Sequence, residues 1–227
     1  MLFSDFVPLW IREYAEKNME PRTLHECLTK LNYRIIPYFG KYQLSQIRSL
    51  TVTIFINRLA DTVIDSKTKR KLSAQTILHY HRLLSSMFVT AIRWDLMMAN
   101  PCSKVVKPKV PNLEMKMLDE LESQLLLTEL VNAPLKHQCI IYIAIMTGLR
   151  NGEILALKWS DIDFSKKEIS VNRARSYVPG IGSFDKVPKT LTSKRCLAVS
   201  QVVLDKLSTL AKDQELQKAN LGENGRI

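Results

Sequence analysis

Through the first hundred residues, apolar side chains recur every three or four positions. Near residue 166 the period changes to two. Phe6, Leu9, Trp10 and Tyr14 follow Ser4, a residue suited to an N-cap, and predict a first helix. Pro21 suits the opening turn of a second, whose stripe is Leu24, Leu28, Leu31 and Ile35; Pro37 and Gly40 are expected to end it. A short LSQI turn follows. TVTIFINRLADTVID then predicts a third helix, capped by Thr51 and running to Asp65. SKTKRK, residues 66–71, reads as a basic loop. Ser73 caps a fourth helix with Ile77, Leu84, Phe88 and Ile92 among its apolar positions. Four helices with short connections predict a bundle.

The second half begins with LDELESQLLLTELVNA, whose acids favour the first turn of a helix. Pro134 starts another helix, running through IIYIAIM to Thr147 and Gly148. NGEILALKW predicts a third, anchored by Ile154, Leu155, Leu157 and Trp159. KKEISVNRA alternates like a strand, with Ile169 and Val171 on one face. SKRCLAVS alternates again, with Leu197 and Val199 opposed to Cys196, Ala198 and Ser200. The two predict an antiparallel hairpin across a Gly/Pro loop that holds Tyr177, with DIDF as a possible third strand. QVVLDKLSTLAKDQELQK predicts a last helix. The expected class is mainly α: an all-helical domain over 1–100, a linker over 101–113, and an α+β domain with a small antiparallel sheet over 114–227. No internal repeat is present.

Charge sharpens the picture. The chain has 227 residues and a net charge of +11, of which +9 falls in residues 1–110. A basic front half points to a polyanion, most simply nucleic acid. Between the halves, KVVKPKVPN alternates Lys104, Lys107 and Lys109 with Pro108 and Pro111. That composition disfavours helix and sheet, and leaves either a solvated tether or a phosphate-contacting linker. The four cysteines are far apart without a CxxC pair, as in a reducing compartment. His79 and His81 do not share a helix face, so no metal site is expected. No apolar run is long enough to span a bilayer, and no signal peptide is evident, so a cytoplasmic protein is expected.

The chemistry concentrates in TGLRNGEILALKWSDIDF, residues 147–164. Arg150 lies at a helix junction, and Glu153 lies within its reach three residues on. Spacing alone leaves two readings open. One is a structural Arg–Glu pair. The other is an anion site, because a guanidinium fork can bind two phosphate oxygens and keeps its charge at any working pH.

This segment resembles the first arginine box of the tyrosine recombinases, the phage-integrase family. Three more segments match in family order: IIPYFGKYQLSQI, LSAQTILHYHRLLSSMFVTAIRWDLMMANPC, and the hairpin VPKTLTSKRCLAVS. The resemblance covers about residues 3–205. It implies a SAM-like core-binding domain followed by a catalytic domain, which together clamp double-stranded DNA. It implies a tyrosine that attacks the scissile phosphate to form a 3′-phosphotyrosine, with neither metal nor cofactor. It assigns Arg150 as the first catalytic arginine and Glu153 as the acid that supports it. Lys189, in PKT, becomes the general acid on the hairpin, with Lys186 and Lys194 as its rivals. For DNA contact it favours the basic loop (Lys67, Lys69, Arg70, Lys71), the start of the fourth helix (Gln75, Thr76, His79) and the linker lysines. Gln75 would read a base, and the lysines would meet phosphates. The family works as a tetramer on paired attachment sites, encoded by phage or bacterial mobile elements.

The family's second box, HxxR, should follow the hairpin, and none is found there. All four histidines precede Arg150, and no tyrosine follows Tyr177. The chain is therefore expected to be a truncated catalytic domain, monomeric in solution, that binds DNA without cleaving it. The alternative is a non-catalytic DNA-binding relative on the same scaffold.

Overall fold

Prolines and one aspartate decide where the expected helices begin and end. The computed structural model describes residues 1–112, 114–186 and 194–221. Helix α1, Phe3–Trp10, passes through a π turn, Ile11–Ala15, into α2, Glu16–Asn18. Its N-cap position is Leu2, not Ser4. The Phe3 N–H donates to the Tyr42 carbonyl at 2.8 Å, so a loop serves the helix end that a serine was expected to serve. Helix α3, Pro21–Lys30, starts on its proline as expected. Pro37 does not stop the second helix. A π turn, Leu31–Ile35, carries the chain into α4, Ile36–Phe39. A proline crowds the carbonyl four residues back, here that of Tyr33, and the wider π turn lies at that residue.

Helix α5, Ser49–Asp61, starts before Thr51 and ends four residues short of Asp65. Instead β1, Val63–Asp65, pairs antiparallel with β2, Arg70–Lys71, so the basic stretch is the tip of a hairpin. The Asp65 carboxylate builds that tip. It accepts the Lys67 N–H at 2.9 Å and the Thr68 hydroxyl at 2.6 Å, and Lys69 takes a left-handed φ of 53°. Side-chain bonds of this kind compete with a helix for the backbone. Helix α6, Ala74–Arg93, has its expected cap: Ser73 Oγ accepts the Thr76 N–H at 3.1 Å. Phe3, Phe6, Trp10, Phe39, Phe55 and Phe88 are fully buried between these helices. Ring centroids of 5.0 Å for Phe39–Phe55 and 5.7 Å for Phe3–Phe39 bind the first helix to the rest.

This first unit extends to Glu114. The Asn100 side chain caps a 3-10 turn, Pro101–Lys104, and Cys102 and Val105 are buried in the helical core. The expected linker is corrected over those residues: apolar side chains dock it, and burial pushes the Cys102 thiol up to about 12.

The second unit starts at Met115. Asp119 and Glu122 form a reciprocal capping box, at 2.7 and 3.1 Å, that opens α7, Glu120–Leu130. Helix α8, Leu135–Thr147, ends where Gly148 turns left-handed at φ 63°. Helix α9, Asn151–Ile154, is a single turn, so the helix expected through Trp159 is corrected. A 3-10 turn, Trp159–Asp161, follows, and Leu155 and Trp159 are exposed where core anchors were expected. DIDF does supply a strand: β3, Ile162–Asp163, pairs with β4, Glu168–Val171. The Gly/Pro loop is a second hairpin, β5, Ala174–Val178, on β6, Gly182–Lys186, and Tyr177 belongs to its first strand. Strand β7, Arg195–Ala198, pairs antiparallel with β4, setting Ile169 opposite Leu197. Helix α10, Gln201–Leu221, packs Val203 and Leu207 against Cys139 and Ile143 of α8 and Ile169 of β4. No described helix is long and apolar enough to cross a membrane.

Candidate functional site

The left-handed turn at Gly148 breaks α8, and buried Leu149 pins the chain just after it. Arg150 is then extended (φ −68°, ψ 147°) at the N-cap position of α9. Its own N–H donates to Oε2 of Glu153 at 2.9 Å, the reach-back half of a capping box. One of its guanidinium nitrogens lies 3.3 Å from Oε1 of the same carboxylate. Between them, Gly152 sits on the neighbouring hairpin. A Cβ there would meet the Arg175 carbonyl oxygen at 2.9 Å, so only glycine lets the turn approach.

Glu153 is buried, and a second arginine holds it. Arg195 of β7 donates through Nη1 to Oε1 at 3.1 Å and through Nη2 to Oε2 at 2.8 Å, a fork on a fork. These bonds, helped by the Arg150 N–H, hold the carboxyl at about 2 although burial pushes it up. Two arginines and one carboxylate leave one positive charge. It resides on Arg150, whose side chain is 80% exposed against 7% for Glu153. Such a cluster keeps one cationic fork that can face an anion although the carboxylate is buried beside it.

A second carboxylate repeats the device without the exposed guanidinium. Asp161 accepts the Lys158 N–H at 2.9 Å and is paired by Arg173, whose side chain is mostly buried.

The expected DNA-contacting residues fall on the first unit. Lys67, Lys69, Arg70 and Lys71 are exposed on the β1–β2 hairpin, with Lys71 paired to Asp61 at 3.0 Å. Gln75 and His79 are exposed one turn apart on α6 and bonded to each other at 3.2 Å. Thr76 is half-buried, and both its N–H and its hydroxyl engage Ser73. Lys104, Lys107 and Lys109 join Lys71 around a groove of about 670 Å³ against α5 and the start of α6. Within the second unit, Arg150 and Glu153 are brought together. Lys189 lies outside the described residues. Lys186 sits on β6 with its Nζ 5.6 Å from the Phe184 ring, and Lys194 is exposed beside Arg195.

Sequence reasoning gave Arg195 no role. A signal was present, since Arg195 shares its strand face with Leu197 and Val199, and an arginine on an inward face calls for an acid.

Fold and site define a protein of two units, with a basic helical half and an exposed arginine held beside a buried carboxylate. Residues 2–60 match the family model for the phage integrase N-terminal SAM-like domain, and residues 116–216 match that of the phage integrase family. The chain belongs to the phage integrase family of tyrosine recombinases. It is 28% identical over 185 residues to the ICEBs1 integrase of Bacillus subtilis, covering 82% of this chain and 48% of that protein. It is 26% identical to a XerC-like tyrosine recombinase of Caldanaerobacter subterraneus, over 96% of this chain and 57% of that one. The chain thus spans about half the length of the curated relatives it matches. Its fold resembles that of the Tn1549 transposon integrase, solved in complex with a circular intermediate DNA. The TM-score is 0.75 at 22% identity, over 93% of this chain and 65% of that one.

Proposed function

We propose that this chain grips duplex DNA as the front part of a site-specific recombinase of a phage or mobile element, with Arg150 holding the scissile phosphate. The observation that carries the reading is Arg150 itself, an exposed guanidinium tied at its backbone to a buried carboxylate. Arg173, by contrast, is mostly buried against its carboxylate, Asp161. The DNA complex of the Tn1549 integrase, which shares this fold, supports the partner.

In the reaction, a tyrosine hydroxyl would give up its proton to solvent and its oxygen would bond to phosphorus while the bond to the 5′ oxygen breaks. Arg150 stabilises the negative charge that builds on the non-bridging oxygens. Glu153 fixes where Arg150 begins. Lys189 gives a proton to the departing 5′ oxygen, which leaves as a hydroxyl. On the first unit, the hairpin and linker lysines hold phosphates and Gln75 reads a base edge.

No HxxR and no tyrosine follow Tyr177 in these 227 residues; the HYHR of residues 79–82 lies in the first unit. We therefore expect binding without cleavage. Affinity for duplex DNA should fall steeply from low to moderate salt; an affinity that hardly changes would sink the DNA reading. On a suicide duplex no covalent adduct should form, and a protein–DNA adduct on a denaturing gel would overturn the expected inactivity. The absent nucleophile equally suits a non-catalytic DNA-binding relative. Coding sequence beyond Ile227 separates the two: an HxxR and a tyrosine there favour the recombinase.

A further inference from the structure

We propose that Arg195 is a positioning residue for Arg150, acting through Glu153, and that Arg150 holds a DNA phosphate only while Arg195 holds the carboxylate. The inference rests on the reading of Arg150 as a phosphate contact.

Both oxygens of Glu153 are shared between the two arginines. Oε2 takes the Arg150 N–H at 2.9 Å and Arg195 Nη2 at 2.8 Å. Oε1 takes Arg150 Nη1 at 3.3 Å and Arg195 Nη1 at 3.1 Å. Turning the carboxylate would break both contacts to Arg150. Two parallel bonds from one rigid fork resist that turn, and a lysine, a point charge on a flexible stem, cannot. Arg150 cannot hold itself, because its side chain is largely in solvent and makes a single long contact. A mobile arginine loses rotamer freedom when it grips a phosphate, and an anchored start reduces that loss.

Charge points the same way. Among the described residues, the charged groups set against Glu153 are Arg150 at the head of α9 and Arg195 on β7. Arg195 neutralises the buried carboxylate, which leaves the charge of Arg150 for the ligand. Without Arg195, burial would favour the protonated acid, and a protonated oxygen is a poorer acceptor for the Arg150 N–H. Arg173 on Asp161 is an internal control: it neutralises a buried carboxylate of the same unit whose cap residue is Lys158, not Arg150.

The test is a double-mutant cycle in the intact chain, read as affinity for a mixed-sequence duplex by fluorescence anisotropy. Arg195→Met should weaken binding as much as Arg150→Ala, and the double variant should be no weaker than either. Arg195→Lys should fail to restore binding although it keeps the charge. Arg173→Met should bind like the wild type. Wild-type binding by Arg195→Met, or a double variant that loses the product of the two single losses, overturns the proposal. If Arg195→Met does not fold, Arg195→Lys takes its place with the same expectation. If Arg150→Ala itself binds normally, the phosphate reading has failed, and with it the requirement for Arg195 in DNA binding. An NMR titration without DNA then judges the positioning alone. The Arg150 amide should stay flat from about pH 3.5 to 6 in the wild type and show a carboxylate step in Arg195→Lys. A flat amide in that variant overturns the positioning as well.

Discussion

Glu153 and Asp161 lie eight positions apart and use the same local device to different ends. Each sits three residues after a cap residue and accepts that residue's N–H at 2.9 Å. Each is buried, and each is neutralised by an arginine from further along the chain. At Asp161 the device closes a turn, and its arginine is mostly buried with it. At Glu153 the cap residue is itself an arginine, its guanidinium stands in solvent, and the neutralising arginine grips with both arms. The backbone hydrogen bond is thus the common structural part. What distinguishes a candidate site from a turn is a second, exposed cation left over after the carboxylate has been neutralised.

Breaking the Glu153 side of this comparison should have the largest effect. Glu153→Gln leaves two arginines around a neutral group and should cost about 3 kcal/mol, the low end for a broken buried ion pair, because both arginines keep some solvent. Urea unfolding followed by tryptophan fluorescence measures it.

Acid should act on the same carboxylate. Its folded-state pKa of about 2 lies below the ordinary carboxylate range. Its contribution is therefore complete above that range and is lost as the pH falls toward 2, by at most about 3 kcal/mol. Stability against pH should lose this slope in Glu153→Gln.

Gly152→Ala tests the platform beneath Glu153. Its Cβ would meet the Arg175 carbonyl oxygen at 2.9 Å. Lifting α9 should cost about 1–3 kcal/mol, the range for overpacking, read as a lower thermal midpoint.

Arg173→Met has the smallest expected effect on function and so sharpens the contrast. It should lower the unfolding midpoint and leave DNA affinity unchanged; a loss of DNA affinity would mean that the two carboxylates do not differ in role.

How much of this was legible in the sequence depended on the kind of signal. Helices with apolar stripes and a strong cap, such as α6 behind Ser73, were readable because the pattern and the cap agree. The ends of α1, α4 and α5 were not. They depend on a carbonyl from Tyr42, a π turn before Pro37 and the side-chain bonds of Asp65, none of which alters hydrophobic period. The β5–β6 hairpin escaped because ARSYV and GSFDK are too polar to alternate visibly. Residues 101–105 were read as part of an extended linker from their proline and lysine neighbours, yet Cys102 and Val105 are apolar enough to dock. At the site, local spacing paired Arg150 with Glu153 but could not choose between structure and chemistry. Arg195 lies 42 residues from Glu153, and only the sheet register of β7 on β4 brings it there.

The most direct measurement of the central claim is the salt dependence of duplex binding by Arg150→Ala beside the wild type. If Arg150 holds a phosphate, removing it should lower the slope of log affinity against log salt by about one and leave most of the binding in place. An unchanged slope would contradict the account and return Arg150 to the status of a structural partner of Glu153.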